Sequence, residues 1–117
     1  MPSSRRAVSP AREADRIYAE ATVFAPALTS LWIEWAYVDI DRHRLPQALD
    51  KLARAVALDD SRVDAWLLRG QVHTLENNAR DALADYDAAL SRAPGNADAV
   101  RGRDIARAAL ESSSTER

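Results

Sequence analysis

Trp32 recurs as Trp66, and much of the chain around the two tryptophans repeats at the same offset. Ala14, Ala48 and Ala82 follow it. So do Tyr18, Leu52 and Tyr86, then Ala21, Ala55 and Ala89, then Pro26, Asp60 and Pro94. Ala36 is matched by Gly70. Coincidences that share one phase mark an internal repeat, and a period of roughly 34 residues points to stacked helix pairs. A single such unit cannot bury its apolar face. It stacks on its neighbours, and the fold grows by addition.

The segments within a period read as helices. Ser9-Pro10 is a helix start, with serine as the N-cap and proline at the first helical position. A first helix is predicted from Pro10 to Phe24, with Ala14, Ile17, Tyr18 and Ala21 on one face, and Pro26 stops it. A second opens at Thr29 or Ser30 and runs to about Arg42. A third starts near Pro46 and ends at about Leu58. Asp59-Asp60-Ser61 breaks the chain, and Ser61 with Asp64 is a candidate capping box for a fourth helix, from about Arg62 to Leu75. Asn77-Asn78 is a turn pair, since asparagine tolerates the left-handed conformation at a helix end. A fifth helix covers about Ala79 to Arg92. Pro94-Gly95-Asn96 is a turn, and a sixth helix starts near Ala97 and fades after Leu110. No segment alternates with a period of two, so no sheet is expected. The expected fold is all-α, six helices in antiparallel pairs.

Where paired helices cross closely, small side chains are required, and Ala36, Ala48, Ala55, Gly70, Ala82 and Ala89 fill those slots. A mid-helix glycine costs about 1 kcal/mol relative to alanine, so Gly70 implies a close contact that offsets it. Trp32, Leu52, Trp66 and Tyr86 are expected to fill the space between layers.

Residues 63–96 resemble a tetratricopeptide repeat, with Trp66, Gly70, Ala82, Tyr86, Ala89 and Pro94 in the signature slots. Residues 29–62 resemble a more divergent copy, through Trp32, Ala36, Ala48, Leu52 and Ala55. Residues 10–28 are similar to the second helix of a repeat without its first. Residues 97–110 are similar to the first helix of a following repeat, with Val100 in the tryptophan slot. The expected domain is therefore 10–110, flanked by a disordered basic tail at 1–9 and a disordered tail at 111–117. The sequence departs from the family pattern at Arg69, which precedes Gly70, at Asp39 and His73 in an aromatic slot, and at Asp60 where proline is common.

The resemblance implies a right-handed superhelix that works as a protein-interaction scaffold, with a concave groove lined by the first helix of each repeat. Carried over by register, the groove takes Ser30, Ile33, Tyr37, Ile40 and Asp41 from one repeat, Asp64, Leu67, Gln71, Thr74 and Leu75 from the next, and Asp98, Arg101 and Ile105 from the last. The second helix is apolar on nearly every side, so an exposed apolar patch for a peptide or helix is expected there. Some family members clamp acidic chaperone tails with Lys, Arg and Asn. The matching slots here hold Ile33, Tyr37, Gln71, Asp98 and Gly102, which does not provide that clamp. Two further readings stand beside the scaffold. The unpaired end helices would allow copies to stack head to tail into an assembly. The stretch 21–87, in segments such as 21–40 and 58–74, also resembles more weakly the repeat tails of bacterial O-antigen ligase-type membrane proteins, which implies an accessory domain of a polysaccharide-handling enzyme.

Little else carries chemistry. A net charge of −2 gives no electrostatic case for nucleic acid or an anionic membrane. Arg101, Arg103 and Arg107 share the last helix with Asp104 and have no interleaved aromatic to stack bases. There is no cysteine, and three scattered glycines make no phosphate loop. His43 and His73 fall nearly a repeat apart, too far for a shared metal or a proton relay. Asp39, Asp41, Asp59 and Asp60 read as solvated or helix-start carboxylates. No catalytic residue, metal or cofactor is therefore expected, and an enzyme is not. The near-apolar run Leu31 to Val38 is too short to cross a bilayer and residues 1–16 hold no secretory signal, so the expected location is cytoplasmic.

Overall fold

The computed structural model describes residues 9–115. Six helices follow one another: α1 (Pro10–Phe24), α2 (Thr29–Asp41), α3 (Leu45–Leu58), α4 (Val63–Leu75), α5 (Ala79–Arg92) and α6 (Ala97–Thr115). No strand occurs among the described residues. The starts of α2, α4 and α6 keep the spacing that separates Trp32 from Trp66, as do those of α3 and α5 and the ends of α1, α3 and α5. Each helix packs on the next in sequence, and the longest-range substantial pairing joins α4 to α6. The array is elongated, 62 × 32 × 20 Å, with a radius of gyration of 16.9 Å. A compact domain of this length would have about 13 Å.

The turns explain why the period holds so strictly. Within each pair, the first helix ends in a Schellman motif whose left-handed residue is His43 (φ 57°) or Asn77 (φ 60°). Arg44 N–H donates to Asp39 O and His43 N–H to Ile40 O. The same bonds recur from Asn78 to His73 O and from Asn77 to Thr74 O. Between pairs, Ala25, Asp59 and Ala93 each donate a backbone N–H to the carbonyl four residues back, on Ala21, Ala55 and Ala89. The tryptophans tie those turns down. Trp32 Nε1 donates to Pro26 O at 2.8 Å, and Trp66 Nε1 to Asp60 O at 2.9 Å. The expected capping box of α4 is absent: Arg62 is its N-cap without a side-chain bond, Ser61 donates to Asp59, and Asp64 pairs with Arg62.

The core runs through the small slots. Ala36, Ala48, Leu52, Ala55, Ala82 and Ala89 are fully buried. One apolar cluster holds α2, α3 and α4 together, and a second gathers Ala82, Tyr86 and Ala106. Gly70 is buried against Tyr86, where an added Cβ would lie 3.0 Å from the ring. Gly102 meets the same ring from α6, and a Cβ there would lie 2.3 Å away. A Cβ at Gly102 would force the tyrosine to shift, whereas one at Gly70 would press the ring by a few tenths of an ångström.

Two expectations about the ends are affected. Residues 1–8 lie outside the described residues. The tail expected at 111–117 is helical through Thr115, because α6 meets no glycine or proline after Gly102 and an established helix propagates at little cost.

Candidate functional site

The first helix of each pair brings equivalent residues into rows across the array. The row Tyr37, Gln71, Ile105 is exposed throughout. In the row Ile33, Leu67, Arg101 the exposure rises along the chain. Ile33 is 4% exposed and belongs to the core with Ala65 and Leu68, Leu67 is half-buried against the Tyr86 cluster, and Arg101 is exposed. In the third row Ile40 is half-buried against the core, and Thr74 is half-buried. The groove residues expected from sequence therefore divide. Tyr37, Gln71, Thr74 and Arg101 reach solvent to differing degrees, whereas Ile33 is core, and Ile40 and Leu67 are mostly packed inward.

The exposed apolar patch expected on α2 is not there. Neighbouring helices cover its apolar surface, and Tyr37 (51% exposed) is the large apolar residue left open. On α4 and α6 the open large apolar residues are Leu75 and Ile105. Beside them is a cavity of about 200 Å3 lined by Thr74, Asn77, Ala79, Ile105, Ala106 and Ala109. The Thr74 hydroxyl donates to Gly70 O, so its hydrogen is spent within α4. Four of the six lining residues are aliphatic, and the Asn77 amide is the main polar group. Such a lining suits an aliphatic side chain, and the volume falls below about 300 Å3, the lower end for small-molecule pockets.

Charges on the groove rim are matched locally. Arg62 holds Asp64 through two hydrogen bonds of 3.1 and 2.8 Å and also reaches Ser30 Oγ. Arg101 pairs with Asp98 at 3.1 Å, an exposed contact of little energetic weight.

The carboxylates expected in solvent include one that is deeply buried. Asp39 is 1% exposed. It accepts from Lys51 Nζ at 2.5 Å and Arg44 at 2.8 Å, because an unpaired buried charge would be prohibitively costly. Arg44 also holds Asp15 of α1 at 2.9 Å, and Trp35 Nε1 donates to the same carboxylate. The hydrogen bond from Arg44 is the main reason the Asp15 carboxyl titrates below the ordinary range. Lys51 Nζ lies 4.3 Å from the centre of the Trp35 ring. In the second pair Asp85 accepts from Arg69 at 2.9 Å, and His73 Nε2 lies 3.7 Å from it. These are ties between helices, with Arg44 Nε and His73 Nδ1 buried without a hydrogen-bond partner, and they converge on no open cleft. No group of acids and histidines among the described residues has metal-binding geometry.

No protein-family model matches the chain. A protein of Rhizobium etli described as containing TPR repeats is 30% identical over 76 residues, which cover 65% of this chain and 37% of that protein. This chain thus matches little more than a third of that relative's length. The TPR domain of Arabidopsis OM64 superposes with a TM-score of 0.75 at 25% identity, covering 79% of this chain and 76% of that one. The fold is that of the tetratricopeptide repeat. Human RPAP3 makes the same point: its first TPR domain superposes with a TM-score of 0.83 at 23% identity, over 92% of this chain and 84% of that one. The first TPR of Spaghetti (RPAP3), solved with the HSP90 peptide SRMEEVD, gives 0.80 at 22% identity over 85% and 81%. The resemblance to O-antigen ligase tails has no counterpart among these proteins. No helix among the described residues is long and apolar enough to cross a membrane.

The tetratricopeptide architecture was legible from sequence, but two features of the site were not. Gly102 sits against Tyr86 as a packing residue, and its signal was the aromatic at position 86, which needs a small neighbour on each side. The cavity follows from small residues at Ala106 and Ala109 beside the turn at Asn77, a pattern no periodicity announces.

Proposed function

We propose that this chain is a protein-interaction module that takes a short peptide along the faces of α2, α4 and α6, with one aliphatic side chain seated in the cavity between Thr74 and Ala109. The cavity is the observation that carries this reading. It is apolar, sized for a side chain, and continuous in register with the exposed row Tyr37, Gln71, Ile105. Related folds solved with peptides, such as the Spaghetti domain above, support it by analogy. The recognition chemistry differs from a clamp for acidic tails. Of the slots that would make one, Ile33 is buried, Gly102 lies against Tyr86, and Asp98 is itself acidic.

Display of random peptides against the chain tests the proposal. Selected peptides are expected to share one aliphatic position and little acidity. Ile105→Asp and Ala109→Phe, the second filling the cavity, are expected to abolish capture, and Tyr37→Ala to weaken it, with helicity by circular dichroism unchanged. Undiminished capture by both cavity variants would refute the assignment.

A further inference from the structure

We propose, resting on the peptide reading above, that the groove selects a second feature of its peptide: a lysine or arginine side chain received by Asp41. Asp41 is the last residue of α2 and is exposed. It stands one turn beyond Tyr37 on the same side of the helix, and so on the groove. Its register equivalents are the exposed Leu75 and then Ala109, which lines the cavity. The row therefore leads from a carboxylate, over an apolar step, to the seat of the aliphatic anchor.

Asp41 is the exception to the local matching of charge on the first helices. Tyr18 donates to Glu34, Lys51 and Arg44 hold Asp39, Arg62 holds Asp64, and Arg101 holds Asp98. Asp41 has no hydrogen-bond or ion-pair partner among the described residues. Arg42 caps α2 beside it without bonding it, and Arg44 is committed to Asp15 and Asp39. Glu76, at the end of α4, adds a further negative charge to the same edge.

The fold gives no reason for an acid at this slot. The C-terminal end of a helix carries partial negative charge, so a carboxylate in the last turn weakens α2. Leu75 and Ala109 fill the slot uncharged, so the repeat does not demand a charge there. An open carboxylate that its own helix disfavours, in line with an apolar seat, complements a cation on the ligand.

The geometry also fixes where on the peptide that cation falls. The cavity lies between α4 and α6, about one and a half helix spacings from α2, which is about 15 Å. At about 3.3 Å per residue of extended chain, the basic residue stands about four or five positions from the anchor. An exposed ion pair adds little affinity, so the carboxylate sets preference and register while the anchor holds the peptide.

The test selects random displayed peptides on the whole chain and on its Asp41→Asn, Asp41→Lys and Ala109→Phe variants. The unaltered chain is expected to enrich lysine or arginine at that offset from the shared aliphatic position. Asp41→Asn is expected to lose the basic preference and keep the aliphatic one, and Asp41→Lys to select an acid at the same offset. A peptide chosen on the unaltered chain is expected to bind Asp41→Asn about threefold more weakly, with the difference shrinking in high salt. Asp41→Asn is expected to melt no lower than the unaltered chain, because the helix end is relieved of a charge. An aliphatic preference without a basic one, a basic preference that survives Asp41→Lys, or a lower melting temperature in Asp41→Asn would overturn the inference and leave the peptide reading standing. Absence of an aliphatic preference on the unaltered chain, or capture undiminished by Ala109→Phe, would remove the peptide reading and this inference with it.

Discussion

The two complete helix pairs, α2 with α3 and α4 with α5, have the same boundaries and the same turns, yet they are joined by opposite charges. In the first pair the acid is on the leading helix, at Asp39, and the base on the following one, at Lys51. At the same two slots the second pair has His73 and Asp85, and Arg69 replaces Trp35 to bring the cation across. A sequence can therefore keep backbone register while exchanging side-chain chemistry as a unit. The exchange also separates right from wrong partners. If α2 paired with α5, Asp39 would face Asp85 with both Lys51 and Arg69 absent, so that two buried carboxylates would have Arg44 alone to serve them.

Size is exchanged in the same way where layers meet. Leu52 and Leu68 share the core between α3 and α4. At the equivalent slots between α5 and α6 stand Tyr86 and Gly102, a larger residue against none. Between α1 and α2 the slots hold Tyr18 and Glu34, whose carboxylate accepts from the phenol at 3.1 Å. One position in the repeat is thus filled by three different chemistries.

The charge comparison predicts the largest effect. Lys51→Asp puts a second acid beside Asp39 and is expected to cost about 3–5 kcal/mol, the range for breaking a buried pair. Importing the second pair's arrangement, with Trp35→Arg and Asp39→His added, is expected to recover much of that loss in denaturant melts. No recovery would mean the two arrangements are not interchangeable. The size comparison comes next. Gly102→Leu is expected to cost about 1–3 kcal/mol by overpacking against Tyr86. Adding Tyr86→Leu recreates the Leu52 and Leu68 arrangement and should show favourable coupling in a double-mutant cycle.

Acid should act unevenly on the array. The folded chain holds the Asp15 carboxyl below its ordinary value, chiefly through the Arg44 hydrogen bond. That tie stabilises α1 above the unfolded-state pKa and is lost as pH falls through the folded one. Leu49 and Leu83 occupy the equivalent slots in α3 and α5, so the second pair lacks this link. Amide exchange in α1 is expected to quicken at a higher pH than in α5. Simultaneous loss would remove Asp15 as the cause. The smallest effect concerns the turns. His43→Gly relieves a left-handed non-glycine residue and should stabilise by up to about 1 kcal/mol in thermal melts, whereas Asn77→Gly should gain less, because asparagine already tolerates that conformation.

Periodicity made the helices legible, because it reflects backbone spacing that every layer shares. The boundaries of α1 and α5 follow from Ser9-Pro10, Pro26, Asn77-Asn78 and Pro94-Gly95. His43 gave no comparable turn signal, since the motif at that site is set by hydrogen bonds and not by a glycine. Asp39 read as a solvated charge because its partners, Arg44 and Lys51, lie on the next helix and its entry turn. Burial of Ile33 comes from its place in the core cluster shared by α2, α3 and α4, a tertiary arrangement that register alone does not report. Groove slots transferred by register therefore identified which residues share a row, and not which ones water can reach.

The opposed charges of the two pairs also constrain how a gene encoding this chain can change length. Loss of residues 29–62 removes one pair whole and leaves every buried ion with its partner on the helices that remain in pairs. Loss of residues 45–78, an equal number, would splice α2 directly to α5, set Asp39 against Asp85 and remove Lys51 and Arg69, leaving Arg44 as the cation beside them. Of two deletions identical in size and frame, the one that respects the hairpin is expected to keep the more stable fold, and thermal melts of the two shortened chains would check it.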